Sequence, residues 1–195
     1  MSSTAASDPR TETEKRQAGD FYNASDPQIQ RDWSAAAEWM TRYNASLAMP
    51  ASQRHALLVE CFAYAGEGSQ IRPPFHCDYG TNIRLGAGAF LNFNCVILDV
   101  VAVSIGDGTQ IGPGVQLLTA DHPRDPALRA TGAEFGRPIH IGKVRLQQTH
   151  ALRGSGQSRC WMLIELTFSA FSVCAFSECV DWRRRAGASW RDRRR

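Results

Sequence analysis

The chain has 195 residues, 43% of them apolar and 21% charged, which is typical of a soluble globular protein and excludes a fibrous or wholly disordered one. Its net charge of +3 hides an asymmetry, because residues 143–195 carry 11 basic and 4 acidic side chains, whereas residues 1–142 carry 11 basic and 15 acidic ones. The body therefore has a net charge of −4 and the C-terminal segment one of +7. This change near Gly142 indicates a boundary between two unlike segments.

The N-terminus and the cysteines indicate the compartment. Residues 1–16 are rich in Ser, Thr, Ala and acidic residues and contain no apolar core, so they cannot act as a secretory signal and are predicted to form a flexible tail. The cysteines show neither CxxC spacing nor histidine partners at zinc-ligand intervals. We therefore expect a cytoplasmic protein with reduced thiols, without a disulfide framework or a structural zinc. The six cysteines are Cys61, Cys77, Cys95, Cys160, Cys174 and Cys179.

Two helices are predicted next. Ser25-Asp26-Pro27 is a helix-start signal, and apolar side chains at spacings of three and four from Ile29 to Tyr43 predict an amphipathic helix that ends near Ser46. Pro50 interrupts it, and a second helix is predicted from Ser52 to near Gly66. Two helices are too few to form a core alone, so residues 17–66 are predicted to be a cap that packs on the following segment.

A six-residue aliphatic period begins after the helices. One register runs through Leu85, Leu91 and Ile97, and a second, shifted by two residues, runs through Ile105, Ile111 and Leu117. A glycine directly follows several of these aliphatic residues. This period fits neither an α-helix nor an alternating strand, and it is typical of a parallel β-helix, whose aliphatic side chains point into a prism.

A polar segment interrupts the period at residues 119–138. It contains the run Thr119 to Pro126, three prolines and two glycines, and the period resumes at Ile139-His140-Ile141-Gly142. Such a segment is predicted to be an inserted loop that leaves the prism, and long loops in compact folds usually carry function.

A nearly continuous set of motifs covers roughly residues 15–142. They are Ala18-Gly19-Asp20-Phe21-Tyr22, Arg42-Tyr43-Asn44, Pro73 to Gly80 with Asn82-Ile83, Asn92 to Asp99, Ile105-Gly106-Asp107, Thr119 to Pro123 and Arg129 to Pro138. Together they resemble the maltose/galactoside O-acetyltransferase family of hexapeptide-repeat proteins, which includes the nodulation-type sugar acetyltransferases. The resemblance implies a mainly β fold, namely a left-handed parallel β-helix over residues 67–142 with an N-terminal α-helical cap and an irregular C-terminal tail.

The resemblance also implies an activity. In this family a homotrimer places the active site between neighbouring β-helices and transfers an acetyl group from acetyl-CoA to a sugar hydroxyl, with no metal. The catalytic histidine lies in a Thr-Ala-x-His-Pro motif, which here contains His122. The chemistry requires such a group, because a sugar hydroxyl is a poor nucleophile until a base removes its proton, and imidazole can act as that base near neutral pH.

Four further residues match functional positions of the family. Glu134 matches a position that orients or polarises the histidine, and Asn92 matches a residue that contacts acetyl-CoA beside the acceptor. Asp78 and Phe90 match positions that line the acceptor. Without the resemblance, these residues also fit ordinary roles. His122 could be an exposed histidine and Glu134 a solvated loop carboxylate. Asn92 could be a turn asparagine and Asp78 a structural aspartate. The other histidines, expected to be structural or exposed, are His55, His76, His140 and His150.

The resemblance ends at Gly142. Family members continue with further hexapeptide turns, whereas residues 143–195 are predicted to be a non-repeat tail, disordered or helical, with an apolar run from Trp161 to Val180 and a basic end. Three interpretations stay open for it: a shifted reading frame or retained intron, which we prefer, a membrane tail anchor, or a basic nucleic-acid-binding tail.

The resemblance, together with its end at Gly142, leads to two main hypotheses for function. The first is an acetyl-CoA-dependent sugar O-acetyltransferase with a sugar acceptor, acetyl-CoA as co-substrate and His122 as general base. The second is a catalytically inactive, truncated hexapeptide-repeat protein with an oligomerisation or regulatory role. We expect no nucleic-acid partner and no membrane association, with the tail anchor as a minor alternative.

Overall fold

The computed structural model describes residues 8–147 and 151–153 of the chain. Within them the helices lie mostly at the N-terminal end, and a single short helix lies in the inserted loop. Their bounds are α1 Glu12–Ala18, α2 Pro27–Asn44, α3 Ala51–Cys61 and α4 Pro126–Arg129.

Short parallel strands form the three faces of a prism, and the chain visits the faces in turn. Sheet 1 contains β2 Tyr64–Ala65, β5 Ile83–Leu85, β8 Val103–Ile105 and β13 Ile139–Ile141. Sheet 2 contains β3 Gln70–Ile71, β6 Phe90–Leu91, β9 Gln110–Ile111 and β14 Leu146–Gln147. Sheet 3 contains β4 Phe75–Cys77, β7 Cys95–Leu98, β10 Gln116–Leu118 and β15 Ala151–Arg153. The predicted parallel β-helix is confirmed.

The register explains the shift between the two aliphatic series. Leu85 pairs with Ile105, Leu91 with Ile111 and Ile97 with Leu117. Each pair is separated by 20 residues, two more than three hexapeptides. The extra length lies in residues 99–102, at the corner that follows sheet 3. The shift of two residues is therefore a longer corner and not a break in the prism.

The aliphatic series form the interior of the prism. All six of the residues that define the period are between 0 and 3% exposed. Burying a side chain of this kind contributes about 2 kcal/mol to stability. Because successive coils stack directly, these side chains belong to one continuous core that extends along the prism from Ile71 to Ile139.

Successive coils also approach closely at the corner after sheet 1. A Cβ added to Gly86 would lie 2.4 Å from the amide nitrogen of Asp107 and 2.6 Å from the carbonyl carbon of Gly106. Both distances are too short for a carbon atom, so only glycine fits there. The glycine that directly follows Leu85 in the sequence therefore has a steric cause.

The helical cap covers the first coil. The indole of Trp39 stacks on the ring of Tyr43 with centroids 4.9 Å apart and meets Phe75 of the first coil edge-on. The Tyr43 hydroxyl donates to the carbonyl oxygen of Ile71 (2.8 Å), and the Asn44 amide makes a two-way hydrogen bond with the backbone of Phe75. These contacts close one end of the apolar column against water.

Both predicted cap helices are present. The Asp26 side chain accepts a hydrogen bond from the amide of Gln28 (2.8 Å), which fixes the start of α2 as predicted. Helix α3 ends at Cys61, before the predicted end near Gly66, because Tyr64 and Ala65 already pair with sheet 1 as β2.

The structure corrects the prediction of a flexible tail over residues 1–16 for its last residues. Thr11 and Glu14 form a capping box that starts α1, and Gly19 ends this helix in the left-handed conformation. Arg16, on the same helix, is only 2% exposed. The polar composition of this segment gave no sign of α1, which is stabilised by its caps and by the buried side chain of Arg16.

The strands continue past Gly142, where the sequence predicts the end of the repeat. Gln147 pairs with Ile111 in β14, and Leu152 pairs with Leu117 in β15, so one more partial coil is added. Among the described residues no helix is both long and apolar enough to cross a membrane. The apolar run Trp161 to Val180, and with it the three interpretations of the tail, lies outside the described residues.

Candidate functional site

The corner after sheet 3 collects most of the predicted site residues, and we call it the third corner. Asp78 follows β4, Asp99 follows β7, and the inserted loop 119–138 leaves after β10. Because parallel strands end at the same edge of their sheet, the segments that follow them stack on one another. The position of the loop in the coil therefore places its side chains beside Asp78.

A buried carboxylate organises this corner. Asp99 is fully buried, and its side chain accepts hydrogen bonds from the backbone amides of Asp78 (3.1 Å), Tyr79 (2.9 Å) and Asn82 (3.3 Å). Burial raises the pKa of Asp99 to about 6, and the hydrogen bonds from the backbone oppose this rise. Sequence reasoning assigned no role to Asp99, although its position at the lengthened corner was a signal.

Asp78 differs from Asp99 in its partners. Its carboxyl is half-buried and accepts no hydrogen bond from the described part of the chain. Burial raises the pKa of Asp78 to about 7, the charges of Asp99 and Glu134 act in the same direction, and Arg16 opposes them. Asp78 is thus a partly accessible carboxyl that holds its proton more tightly than usual and is free to contact a ligand.

The inserted loop forms a small antiparallel sheet with the N-terminal segment. Its strands are β1 Tyr22–Asn23, β12 Ala133–Gly136 and β11 Ala120–Asp121, with β12 in the middle. Tyr22 pairs with Glu134, and its hydroxyl donates to the Oε2 atom of Glu134 at 2.7 Å. Burial and this carboxylate both raise the pKa of Tyr22, so the hydroxyl stays a hydrogen-bond donor.

His122 follows the last residue of β11. Ala120 pairs with Gly136 and Asp121 with Phe135, and one further step of this register, beyond the last residue of β11, would set His122 opposite Glu134. Directly opposed residues of antiparallel strands have Cα atoms about 5 Å apart and side chains on the same face. The imidazole is exposed and makes no hydrogen bond to any described residue, while the amide of His122 donates to Asp121 Oδ1 (2.9 Å).

The small sheet packs against the third corner of the β-helix. A Cβ added to Gly136 would lie 2.8 Å from side-chain atoms of both Val100 and Val101, so the sheet rests directly on the third corner. The guanidinium of Arg16 lies 4.0 Å from the ring centroid of Tyr79 and donates to the carbonyl oxygen of Val100 (2.7 Å). Neither Arg16 nor Tyr22 was identified from the sequence, since nothing local shows that the N-terminal segment reaches residue 134.

Phe90 and Asn92 lie elsewhere, on the outer side of sheet 2 and at the corner after it. Both are half-buried. The Asn92 Oδ1 atom accepts a hydrogen bond from the amide of Phe93 (2.9 Å), whereas its Nδ2 group donates to no described residue. The guanidinium of Arg72 lies beside both rings, 5.3 Å from the centroid of Phe90 and 5.1 Å from that of Phe93.

The five candidate residues of one chain therefore fall into two groups. Asp78, Glu134 and His122 share the third corner, and Phe90 and Asn92 lie at the other end of sheet 3. A four-residue strand of this sheet, such as Cys95–Leu98, is about 13 Å long. One chain alone does not bring the two groups into contact.

The other histidines and the cysteines lie outside the two groups. His55 hydrogen-bonds the carbonyl oxygen of Ser69 at 3.1 Å, and His76 and His140 are exposed. His150 lies outside the described residues. Cys61, Cys77 and Cys95 are free thiols. In the part of the chain that is described, no three His, Cys, Asp or Glu side chains form a group suited to a metal ion.

Comparison with known proteins identifies relatives that match about two thirds of this chain. The family model of the maltose acetyltransferase hexapeptide capping motif matches residues 15–66, which include both cap helices. Nodulation protein L of Rhizobium meliloti (strain 1021) is 58% identical over 134 residues, which cover 69% of this chain and 73% of the relative.

Two solved structures extend this likeness to the fold. A maltose O-acetyltransferase from Clostridium difficile 630 has a TM-score of 0.65 and 30% identity, over 75% of this chain and 82% of that one. A hexapeptide-repeat acetyltransferase from Vibrio cholerae, in complex with acetyl coenzyme A, has a TM-score of 0.60 and 28% identity, over 73% and 88%. The chain belongs to the maltose/galactoside O-acetyltransferase family of hexapeptide-repeat proteins and has its left-handed parallel β-helix.

Proposed function

We propose that this chain transfers an acetyl group from acetyl-CoA to a hydroxyl of a sugar, with His122 as the general base. The observation that supports the proposal is the small sheet, in which the register of β11 and β12 runs toward His122 and Glu134, while the charge of Glu134 acts on the accessible carboxyl of Asp78. A base, a carboxylate next to it and a second polar group for the acceptor are what the reaction requires from the protein.

The chemistry follows from these roles. Acetyl-CoA supplies a thioester whose carbonyl carbon is the electrophile. His122 takes the proton of the acceptor hydroxyl as its oxygen bonds to that carbon, and Glu134 stabilises the imidazolium that forms. When the carbon–sulfur bond breaks, the imidazolium returns the proton to the leaving thiolate. The products are the acetylated sugar and free coenzyme A, and no covalent acyl-enzyme is needed.

The second group of residues suits the co-substrate. The unused Nδ2 group of Asn92 can donate two hydrogen bonds, and the ring of Phe90 offers an apolar face next to it. Amide donors of this kind stabilise the negative charge that develops on a thioester oxygen during attack. A co-substrate bound at Asn92 would need the base of another chain, because the two groups are about 13 Å or more apart along one strand of sheet 3.

This separation supports a homotrimer whose sites lie between neighbouring chains. Each site would combine the third corner of one chain with Phe90 and Asn92 of the next. A closed ring of three identical contacts satisfies this arrangement without leaving an unpaired surface.

A complementation experiment tests the base and the shared site together. We expect His122→Ala and Asn92→Ala each to lower kcat at least 100-fold, with unchanged thermal stability, in an assay of thiol release from acetyl-CoA with a panel of sugars. An equimolar mixture, after exchange of subunits, should recover about a quarter of the wild-type activity, since one interface in four then carries both intact groups. His140→Ala, at an exposed histidine away from the third corner, is the matched control.

Each outcome has a clear meaning. Undiminished turnover by His122→Ala would exclude the proposed base. Two inactive variants that stay inactive when mixed would exclude a site shared between chains. Failure of the wild-type chain to bind acetyl-CoA in isothermal titration would instead support the inactive, oligomerising protein.

A further inference from the structure

Tyr22 joins the N-terminal segment to the inserted loop through its hydroxyl. The ring is 2% exposed and packs among Ile29, Tyr79, Val100 and Val101. The hydroxyl donates to Glu134 Oε2 at 2.7 Å, across 112 residues of sequence. Since the packed ring cannot move far, this bond holds the carboxylate in one place.

The same row of the small sheet continues to His122. Tyr22 is the register partner of Glu134 in β1 and β12, and one further step of the β11 register, beyond Asp121, would set His122 opposite Glu134. Tyr22 and Glu134 therefore share one face of the sheet, and a continued register would bring His122 to the same face; no hydrogen bond or ion pair joins His122 to Glu134 among the described residues. The other carboxylate oxygen, Oε1, accepts no hydrogen bond from the described residues.

We propose that Tyr22 is a positioning residue for the proposed base. Its hydroxyl donates a hydrogen bond to Oε2 of Glu134 and so leaves Oε1 to accept a hydrogen bond from one nitrogen of the His122 imidazole. A carboxylate that accepts the proton of one ring nitrogen selects the tautomer in which the other nitrogen is the base. This inference rests on the proposed function, because it assigns Tyr22 a role in the action of His122.

A purely structural role is the alternative, in which the bond only ties β1 to β12. The two roles make different predictions for a carboxamide at position 134. A glutamine still accepts a hydrogen bond from Tyr22, so a structural tie survives in Glu134→Gln. The charge that orients and stabilises the imidazole is lost in that variant, so Tyr22 then has nothing to position.

The experiment is a double-mutant cycle with Tyr22→Phe and Glu134→Gln. Phenylalanine keeps the buried ring and removes only the hydroxyl. In the wild-type background we expect kcat to fall about tenfold, as for loss of one hydrogen bond to a charged group, with KM for both substrates changed less than about twofold. In the Glu134→Gln background the same change should alter kcat less than about twofold.

A matched control and a spectroscopic readout complete the test. Tyr43→Phe also removes a buried hydroxyl with one hydrogen bond, to the carbonyl oxygen of Ile71, and should leave kcat unchanged. The ¹⁵N chemical shifts of the His122 ring should show one tautomer in the wild type and a mixture in Tyr22→Phe. This readout needs no turnover, so it tests the inference even in an inactive chain.

The inference and the proposed function fail in different ways. An active His122→Ala variant removes the proposed base, whatever Tyr22 does. If His122→Ala is inactive but Tyr22→Phe keeps wild-type kcat and a single tautomer, only the role of Tyr22 is overturned. An equal loss of kcat in both backgrounds would assign Tyr22 a structural role alone.

Discussion

Replacing Asp78 by asparagine should stabilise the protein at neutral and alkaline pH. The pKa of Asp78 is raised from 3.8 to about 7, first by burial and then by Asp99 and Glu134. A carboxyl with a raised pKa keeps its proton in the folded state while the unfolded chain ionises. Stability is therefore lost as the pH rises from about 4 to about 7, and the loss is constant above that.

The size of the effect follows from the same shift. At 1.36 kcal/mol per pKa unit, this change corresponds to a loss of about 4 kcal/mol in the free energy of unfolding. Because the carboxyl is partly exposed to solvent, we reduce the expected loss to about 2 kcal/mol. An asparagine side chain has the same shape as the aspartate and no charge to bury. We expect Asp78→Asn to match the wild type near pH 4 and to exceed it by about 2 kcal/mol at about pH 8.

Urea unfolding at several pH values and one protein concentration measures this difference. Asp99→Asn is the matched control, because Asp99 accepts three backbone hydrogen bonds that a side-chain amide cannot fully replace. Because the pKa of Asp99 is raised only to about 6 and the loss of a backbone hydrogen bond offsets the removal of its charge, Asp99→Asn should gain less stability than Asp78→Asn at about pH 8. The reasoning is refuted if Asp78→Asn is no more stable than the wild type at about pH 8, or if its advantage does not grow between about pH 5 and that value.

Two further predictions concern the scaffold. Gly86→Ala should lower stability by about 3 kcal/mol, because its Cβ would meet the backbone of the next coil, whereas Gly88→Ala should cost about 1 kcal/mol, since it has a φ of 65° but no atom within 4 Å. Equal losses on thermal melting would contradict the close approach of the coils. Asn44→Ala should cost about 2 kcal/mol through loss of both hydrogen bonds to Phe75. It should also speed amide hydrogen exchange in α2, and unchanged exchange would show that the cap is held by apolar packing alone.

The prism could be predicted from the sequence because its pattern is local. An inward aliphatic residue every six positions, as at Leu85, Leu91 and Ile97, is set by the geometry of a single coil. The start of α2 at Asp26 was predictable for the same reason, since a cap and the first turn are neighbours in the chain. The resemblance added the candidate site residues and the meaning of the inserted loop.

The parts that the sequence did not reveal depend on contacts between distant segments. Arg16 looks like one charged residue in a polar tail until Tyr79 and Val100 are found to surround it. Tyr22 carries no sign that its partner is Glu134. The strands after Gly142 also escaped prediction, because their backbone pairs with earlier coils although the sequence there does not continue the aliphatic period.

The pairing of Tyr22 with Glu134 has a consequence for synthesis. Residue 22 leaves the ribosome early, whereas its partner is made 112 residues later, after most of the prism. The cap and the first coils can assemble as they emerge, since their contacts are short in sequence, but the small sheet can form only afterwards. The third corner of the candidate site therefore cannot form before residue 134 has emerged, and a nascent chain would remain inactive at least until its two distant segments meet.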